Sequence, residues 1–198
     1  RRADSRRMRL PAATEPLLSL LLGPPGPRRV RSSMTLIPLL VYMLFAVFQH
    51  LEVMLGLIDP VDSWRLTAFN LIGITLFFVA VRTGLSERWA RDPSLTEAQM
   101  VFAICSITWS YAITGPARGA VMGILIVVIL FGMFGLKPQA AWRLAAFGFG
   151  MLASAMLWRA WHSPERYDPR VELIHFIFAA IVMGATATVA VRLGRLRA

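Results

Sequence analysis

Six long apolar runs, separated by short charged turns, occupy the chain from Met34 onward, at about Met34–Ile58, Leu66–Val81, Ala98–Ile113, Gly119–Leu136, Ala140–Trp158 and Val171–Val191. Each approaches the roughly 20 residues that a helix needs to cross a hydrocarbon core about 30 Å thick. A soluble domain of this size would give its helices one polar face, and these runs have none. The fold class that follows is all-α, an integral membrane bundle of six transmembrane helices whose first partner is the lipid bilayer. Six spans in 198 residues leave no room for a second folded domain.

Charge distribution sets the expected orientation. Only 16% of residues are charged, against about 25% in ordinary soluble domains. Of the 21 Lys and Arg residues, sixteen fall in alternate segments (1–33, the turns around Arg82 and Lys137, and the C-terminal end) and five in the others. By the positive-inside rule, the N-terminus and C-terminus of this multi-pass protein are both expected in the cytoplasm. The net charge of +10 then reflects topology and attraction to anionic head groups. No nucleic-acid partner is expected.

Residues 1–33 differ in kind, mixing Arg with the stretch Gly23-Pro24-Pro25-Gly26-Pro27. Their only apolar segment, Leu17–Leu22, is shorter than a signal-peptide core. The expectation is a disordered, basic cytoplasmic extension, followed by a six-helix domain over 34–198. With Met34 heading the first span, the extension itself reads as a product of upstream translation. The lone Cys105 lies within a span and has no intrachain partner.

Small residues at four-residue spacing suggest how the helices pack, because association in lipid relies on close backbone approach. Gly119 and Gly123, then Ala146, Gly150 and Ser154, then Ala180, Gly184 and Thr188 are expected to join the last three spans. The short turn Thr114–Gly119 makes the third and fourth spans antiparallel neighbours.

Polar groups inside the runs are site candidates, since ionisable side chains are costly in hydrocarbon. Under the inferred orientation Gln49, His50, Glu52, Asn70, Trp109, Tyr111, Glu172 and His175 all fall toward the outer side. The expected site is a shallow external cluster of His50, Glu52, Asn70, Trp109, Tyr111, Glu172 and His175 that takes an unknown small ligand or ion. His50 and Glu52 are about 200° apart on a helix and do not share a face. Glu172 and His175, three apart, do share one. A di-metal site of the bundle type needs a second such pair and further carboxylates, which the chain lacks, so no metal is expected. Neither a phosphate loop, a His-Glu-x-x-His, a CxxC pair nor a serine with a placed base is found. No catalytic residue and no cofactor are expected.

The turn between the second and third runs carries a resemblance. Arg82-Thr83-Gly84-Leu85-Ser86-Glu87-Arg88, followed by Arg91-Asp92-Pro93-Ser94-Leu95-Thr96 and Gln99, resembles the membrane-embedded sensor region of bacterial GGDEF-type diguanylate cyclases. Phe69-Asn70-Leu71, Gly115–Gly119 and Phe131–Leu136 are similar to the same family, and the likeness extends from Thr35 to Ala198. It implies a signal-input module whose last helix passes a signal to a cytoplasmic cyclase domain, and a homodimer, because that output joins two active sites. The Gly-Gly-Asp/Glu-Glu-Phe signature is absent from these 198 residues, so no cyclase activity is expected of them. A small transporter-like or structural membrane protein is the competing expectation.

Overall fold

The computed structural model describes residues 15–90, 92–133, 136 and 138–196. Eight helices, and no strand among the described residues, run in the order α1 (Glu15–Leu22), α2 (Pro27–Met54), α3 (Pro60–Thr83), α4 (Ser86–Trp89), α5 (Thr96–Ile113), α6 (Arg118–Met133), α7 (Pro138–His162) and α8 (Pro169–Leu196). Four are long and apolar enough to cross a membrane: α2, α3, α7 from Gln139 to His162, and α8 from Pro169 to Val189. The remaining two apolar runs form α5, whose 18 residues include Gln99, Ser106, Thr108 and Ser110, and α6, which spans 16 described residues.

Local chemistry fixes the helix ends. Asp59 caps α3, its carboxylate accepting from the amides of Val61 and Asp62, with Pro60 in the first helical position. Gly84 closes the same helix in the left-handed conformation that glycine tolerates. In the following turn, the carboxylate of Asp92 accepts from the amides of Ser94 and Thr96. Ser86 donates to the carbonyl of Pro93. These bonds hold Leu95 at φ 54, the one positive φ outside glycine among the described residues.

The N-terminal region is more ordered than its composition suggests. Residues 1–14 lie outside the described residues, but Glu15–Leu22 is helical and α2 starts at Pro27, seven residues before Met34. The reason lies in partners distant in sequence. Arg82 donates to the carbonyls of Ser19, Leu20 and Leu21, the groups that a helix C-terminus leaves unpaired. Arg29 pairs with Glu15 at 2.6 Å, and Glu87 accepts from both Arg28 and Arg31. Hydrogen bonding to Arg28 holds the Glu87 carboxyl below the usual carboxylate range. Salt links therefore order a segment that propensity alone leaves undecided.

α5 is the central element. It packs on α3 on one side and on α6 and α7 on the other, while α2 packs on α1 and α3, and α8 on α6 and α7. The main core joins Ile104, Ile107 and Tyr111 of α5 to Val121, Met122 and Leu125 of α6, Leu144, Leu152 and Met156 of α7, and Ala179 and Met183 of α8. A smaller core joins Ile58, Leu66 and Ile113, with Phe69 and Trp109 against it. Between α3 and α5 the Phe102 ring stacks on Phe69 at 4.7 Å and lies where a β-carbon on Gly73 would stand.

The outward surface is strongly apolar. α2 alone exposes Met34, Ile37, Leu40, Val41, Leu44, Val47, Phe48 and Leu51. A patch of that extent on a water-soluble monomer invites aggregation, whereas against lipid tails it carries no penalty. The small-residue faces differ from expectation. α6, α7 and α8 do pack together, but Ala146, Gly150, Ser154, Ala180, Gly184 and Thr188 are exposed. The buried face of α8 is instead Ala179, Met183 and Ala187, one residue earlier in register. Ser154 and Thr188 satisfy their hydroxyls on the carbonyls of Gly150 and Gly184 in their own helices, so no polar group draws those faces inward. Gly148, close to Met183 and Ile104, provides the contact that Gly150 was expected to make.

Replacement of Gly73 by Val is expected to push Phe102 out of its place and separate α3 from α5. Overpacking of this kind costs about 1–3 kcal/mol. A thermal melt of the detergent-solubilised protein should show a lower midpoint for Gly73→Val and an unchanged one for Gly123→Ala, where the added methyl meets open space.

Candidate functional site

At the end of the bundle where α5 stops and α6 and α8 begin, one carboxylate organises three helix ends. Glu172, in the first turn of α8, is 4% exposed. Its Oε1 accepts from Nε of Arg118 at 2.7 Å, and its Oε2 from the hydroxyl of Tyr111 at 2.6 Å. Arg118 opens α6 and donates from Nη1 to the carbonyl of Gly115 at 2.8 Å, which folds the α5–α6 turn around the guanidinium. His175 stands one turn beyond Glu172 on the same face, its Nδ1 3.1 Å from the Tyr111 oxygen. With the phenolic proton directed at Glu172, a hydrogen bond at this contact requires the His175 tautomer protonated on Nδ1. The ring lies beside Gly119, with His175 Nε2 3.9 Å from where a β-carbon would sit, an ordinary van der Waals distance.

Tyr167, in the α7–α8 loop, extends the cluster. Its hydroxyl donates to the carbonyl of Ala112 at 2.8 Å. The Arg118 guanidinium lies 5.0 Å from its ring centre and that of Arg159 5.4 Å; Arg159 also lies 4.9 Å from the ring of Trp158. Aromatic faces stabilise such cations. Burial pushes the Tyr167 phenol above its ordinary value, while Arg159, Arg166 and Arg118 pull it down. Arg166 donates to the carbonyl of Leu57 at 2.7 Å and so ties the α7–α8 loop to the α2–α3 turn. Between these loops and the α5–α6 turn opens a cleft of about 560 Å³, lined by Gly56, Leu57, Pro116, Arg118, Glu165 and Arg166.

Electrostatics explains why the pair forms. Two isolated charges in this setting would each carry a desolvation cost of several kcal/mol. Direct contact, the Tyr111 hydroxyl and the Gly115 carbonyl replace the lost water. The N-terminal dipole of α8 favours the carboxylate placed in its first turn. The same dipole argument opposes Arg118 at the start of α6, which makes Glu172 its necessary counter-ion.

Of the residues singled out from sequence, the fold brings Tyr111, Glu172 and His175 into one hydrogen-bonded group. Asn70 and Ser106 form a separate buried contact at 2.6 Å between α3 and α5. Trp109 packs against Phe69 with ring centres 5.4 Å apart. His50 is exposed and Glu52 buried, as the angle between them on α2 requires, and both belong to the α2–α3 side. Gln49 also serves that side, accepting from Thr67 and donating to the carbonyl of Ser63, each at 3.4 Å. Among the described residues no three His, Cys, Asp or Glu side chains gather to hold a metal. Arg118, Arg159, Arg166 and Tyr167 escaped the sequence reading, which treated the arginines only as topology signals. The available clue was that the segment from Arg159 to Arg170 carries three arginines where the positive-inside pattern predicts few.

No protein-family model, curated protein or solved structure matches the chain.

Glu172→Gln leaves the Arg118 guanidinium buried without its counter-charge and is expected to lower stability by about 3–5 kcal/mol. The double variant Arg118→Met/Glu172→Met removes both charges and should lose less than the two single changes added together. Denaturation of the wild type, Arg118→Met, Glu172→Met and the double variant in detergent yields the coupling energy, expected at about 0.5–3 kcal/mol for groups in contact.

Proposed function

We propose that this protein is a membrane-embedded signal-input module with six spans formed by α2, α3, α5, α6, α7 and α8. Both termini lie on the cytoplasmic side of a bacterial inner membrane, and the Arg118–Glu172 cluster lies at the outer side. The observation that carries this reading is α8. It is one helix of 28 residues, Pro169–Leu196, with no proline after its first position. At 1.5 Å per residue it extends about 42 Å, longer than a hydrocarbon core of about 30 Å. Its first two turns hold Glu172 and His175, bonded to Arg118 and Tyr111, and its last turns reach Arg192 and Arg195. A change in the cluster would therefore act on one end of a continuous helix whose other end carries Arg192 and Arg195.

The resemblance to the sensor regions of diguanylate cyclases supports the same role and supplies an output, a cytoplasmic cyclase driven by a rotation or piston shift of α8. The exposed stripe Ala180, Gly184 and Thr188 on α8 offers a face on which a second copy can pack closely, as a paired output requires.

Orientation is tested with fusions to a reporter active only in the cytoplasm. Fusions after Ala198 or at Arg88 should be on, and fusions near Asp62 or Arg166 off; the reverse at two positions defeats the proposed orientation. Transmission is tested by grafting the module onto a cyclase domain and inserting one to four residues after Val191. Cyclic di-GMP output that rises and falls with helical period is the expected result, while output indifferent to phase means that the module is a passive anchor.

A further inference from the structure

We infer that the cleft between the α2–α3 turn, the α5–α6 turn and the α7–α8 loop binds a small water-soluble anion, a carboxylate or phosphate monoanion, with Arg166 and Arg118 as its ligands. The inference deepens the signal-input reading and rests on its placement of this end of the bundle outside.

Charge is the first argument. Five basic residues belong to the segments at this end, and three of them, Arg118, Arg159 and Arg166, act electrostatically on the single ring of Tyr167. Asp59, Asp62, Glu165, Asp168 and Glu172 balance these charges over the segments as a whole, but in the cleft lining Arg118 and Arg166 face Glu165 alone. Glu172 is engaged by Arg118 and Tyr111, and Asp168 accepts from the backbone amide of Arg170. Glu165 on the cleft wall is the one remaining carboxylate of the lining. Arg118 and Arg166 both line the cleft, where like charges repel, and an anion between them relieves that repulsion.

Unused donors are the second argument. Arg118 employs Nε and Nη1 within the protein, which leaves Nη2 without a partner among the described residues while the side chain lines the cleft. Arg166 bonds Leu57 through Nη2 alone, with Nε and Nη1 free of described partners. Guanidinium forks match carboxylate and phosphate oxygens in pairs. The cleft volume of about 560 Å³ falls within the range of small-ligand sites. Glu165 sets the charge limit, because it repels a second negative group on the same ligand and so favours a monoanion over a polyanion.

Occupancy would also be felt at α8. An anion on Nη2 of Arg118 competes for the guanidinium that holds Glu172, so binding and the position of the α8 terminus are linked through one side chain.

The test uses the full chain in a neutral detergent, titrated with sodium acetate and, separately, with sodium phosphate, at ionic strength held constant with sodium chloride. Tryptophan emission is the readout. Saturable binding of at least one probe is expected, weakened at least about tenfold in Arg166→Gln, since a hydrogen bond to a charged group contributes on that scale. Arg166→Lys should fall between the two, keeping charge but losing the fork. Arg65→Gln, which removes an exposed arginine paired only with Asp62, should bind as wild type does. Circular dichroism verifies that each variant is folded. Absence of saturable binding with both probes, or equal weakening in Arg65→Gln, overturns the inference. Binding that survives while output ignores the insertion phase in α8 counts against the signalling role alone.

Discussion

A single buried ion pair holds one end of this bundle together. Arg118 begins α6, Glu172 begins α8, and Tyr111 ends α5, so the Arg118–Glu172 contact and the Tyr111 hydroxyl fix the relative heights of three helices at once. Apolar packing does not provide that register. Helices covered with Leu, Ile and Val slide against one another at little cost, and in lipid no hydrophobic drive favours one depth over another. Directional bonds to a charge that cannot remain unpaired impose the depth. The loop residue Tyr167 adds to the constraint through its bond to the carbonyl of Ala112 and its ring beneath Arg118.

The opposite end is pinned by exposed pairs of the same chemical kind. Glu87 binds Arg28 and Arg31, Arg143 binds Glu97, and Arg82 caps α1. Solvent screens such contacts and each contributes little, so they position the N-terminal segments rather than stabilise the core. The exposed end is held by contacts that solvent screens, while the buried end is held by a pair shielded from it.

Between the two ends α5 acts as the shared wall of two cores. On one side are the Phe69, Phe102 and Trp109 rings with Gly73 beneath them, and on the other the aliphatic cluster of α6, α7 and α8. α2 touches little beyond α1 and α3, and its outward face is almost wholly apolar. Such a helix is stable only where its exterior solvent is itself apolar.

The sequence by itself determined the solvent and the class of fold. Runs of about 20 apolar residues are long enough to cross a membrane, and with no water there to satisfy the backbone each forms a helix. Glu172 and His175 were legible as a pair because three-residue spacing places them on one face. Which face each helix buries was decided by tertiary structure. A helix apolar on every side carries no periodic signal, so the small-residue stripes gave a register one residue away from the buried face Ala179, Met183 and Ala187. The order of α1 was equally invisible, since its partners Arg82 and Arg29 are remote or carry no local signal. Arg118 looked like a topology charge until the fold set it against Glu172, 54 residues away. A long-range ion pair leaves no trace in spacing: it exists only when two helix ends have been brought to the same depth, and the burial that makes it strong comes from neighbours contributed by every other part of the chain.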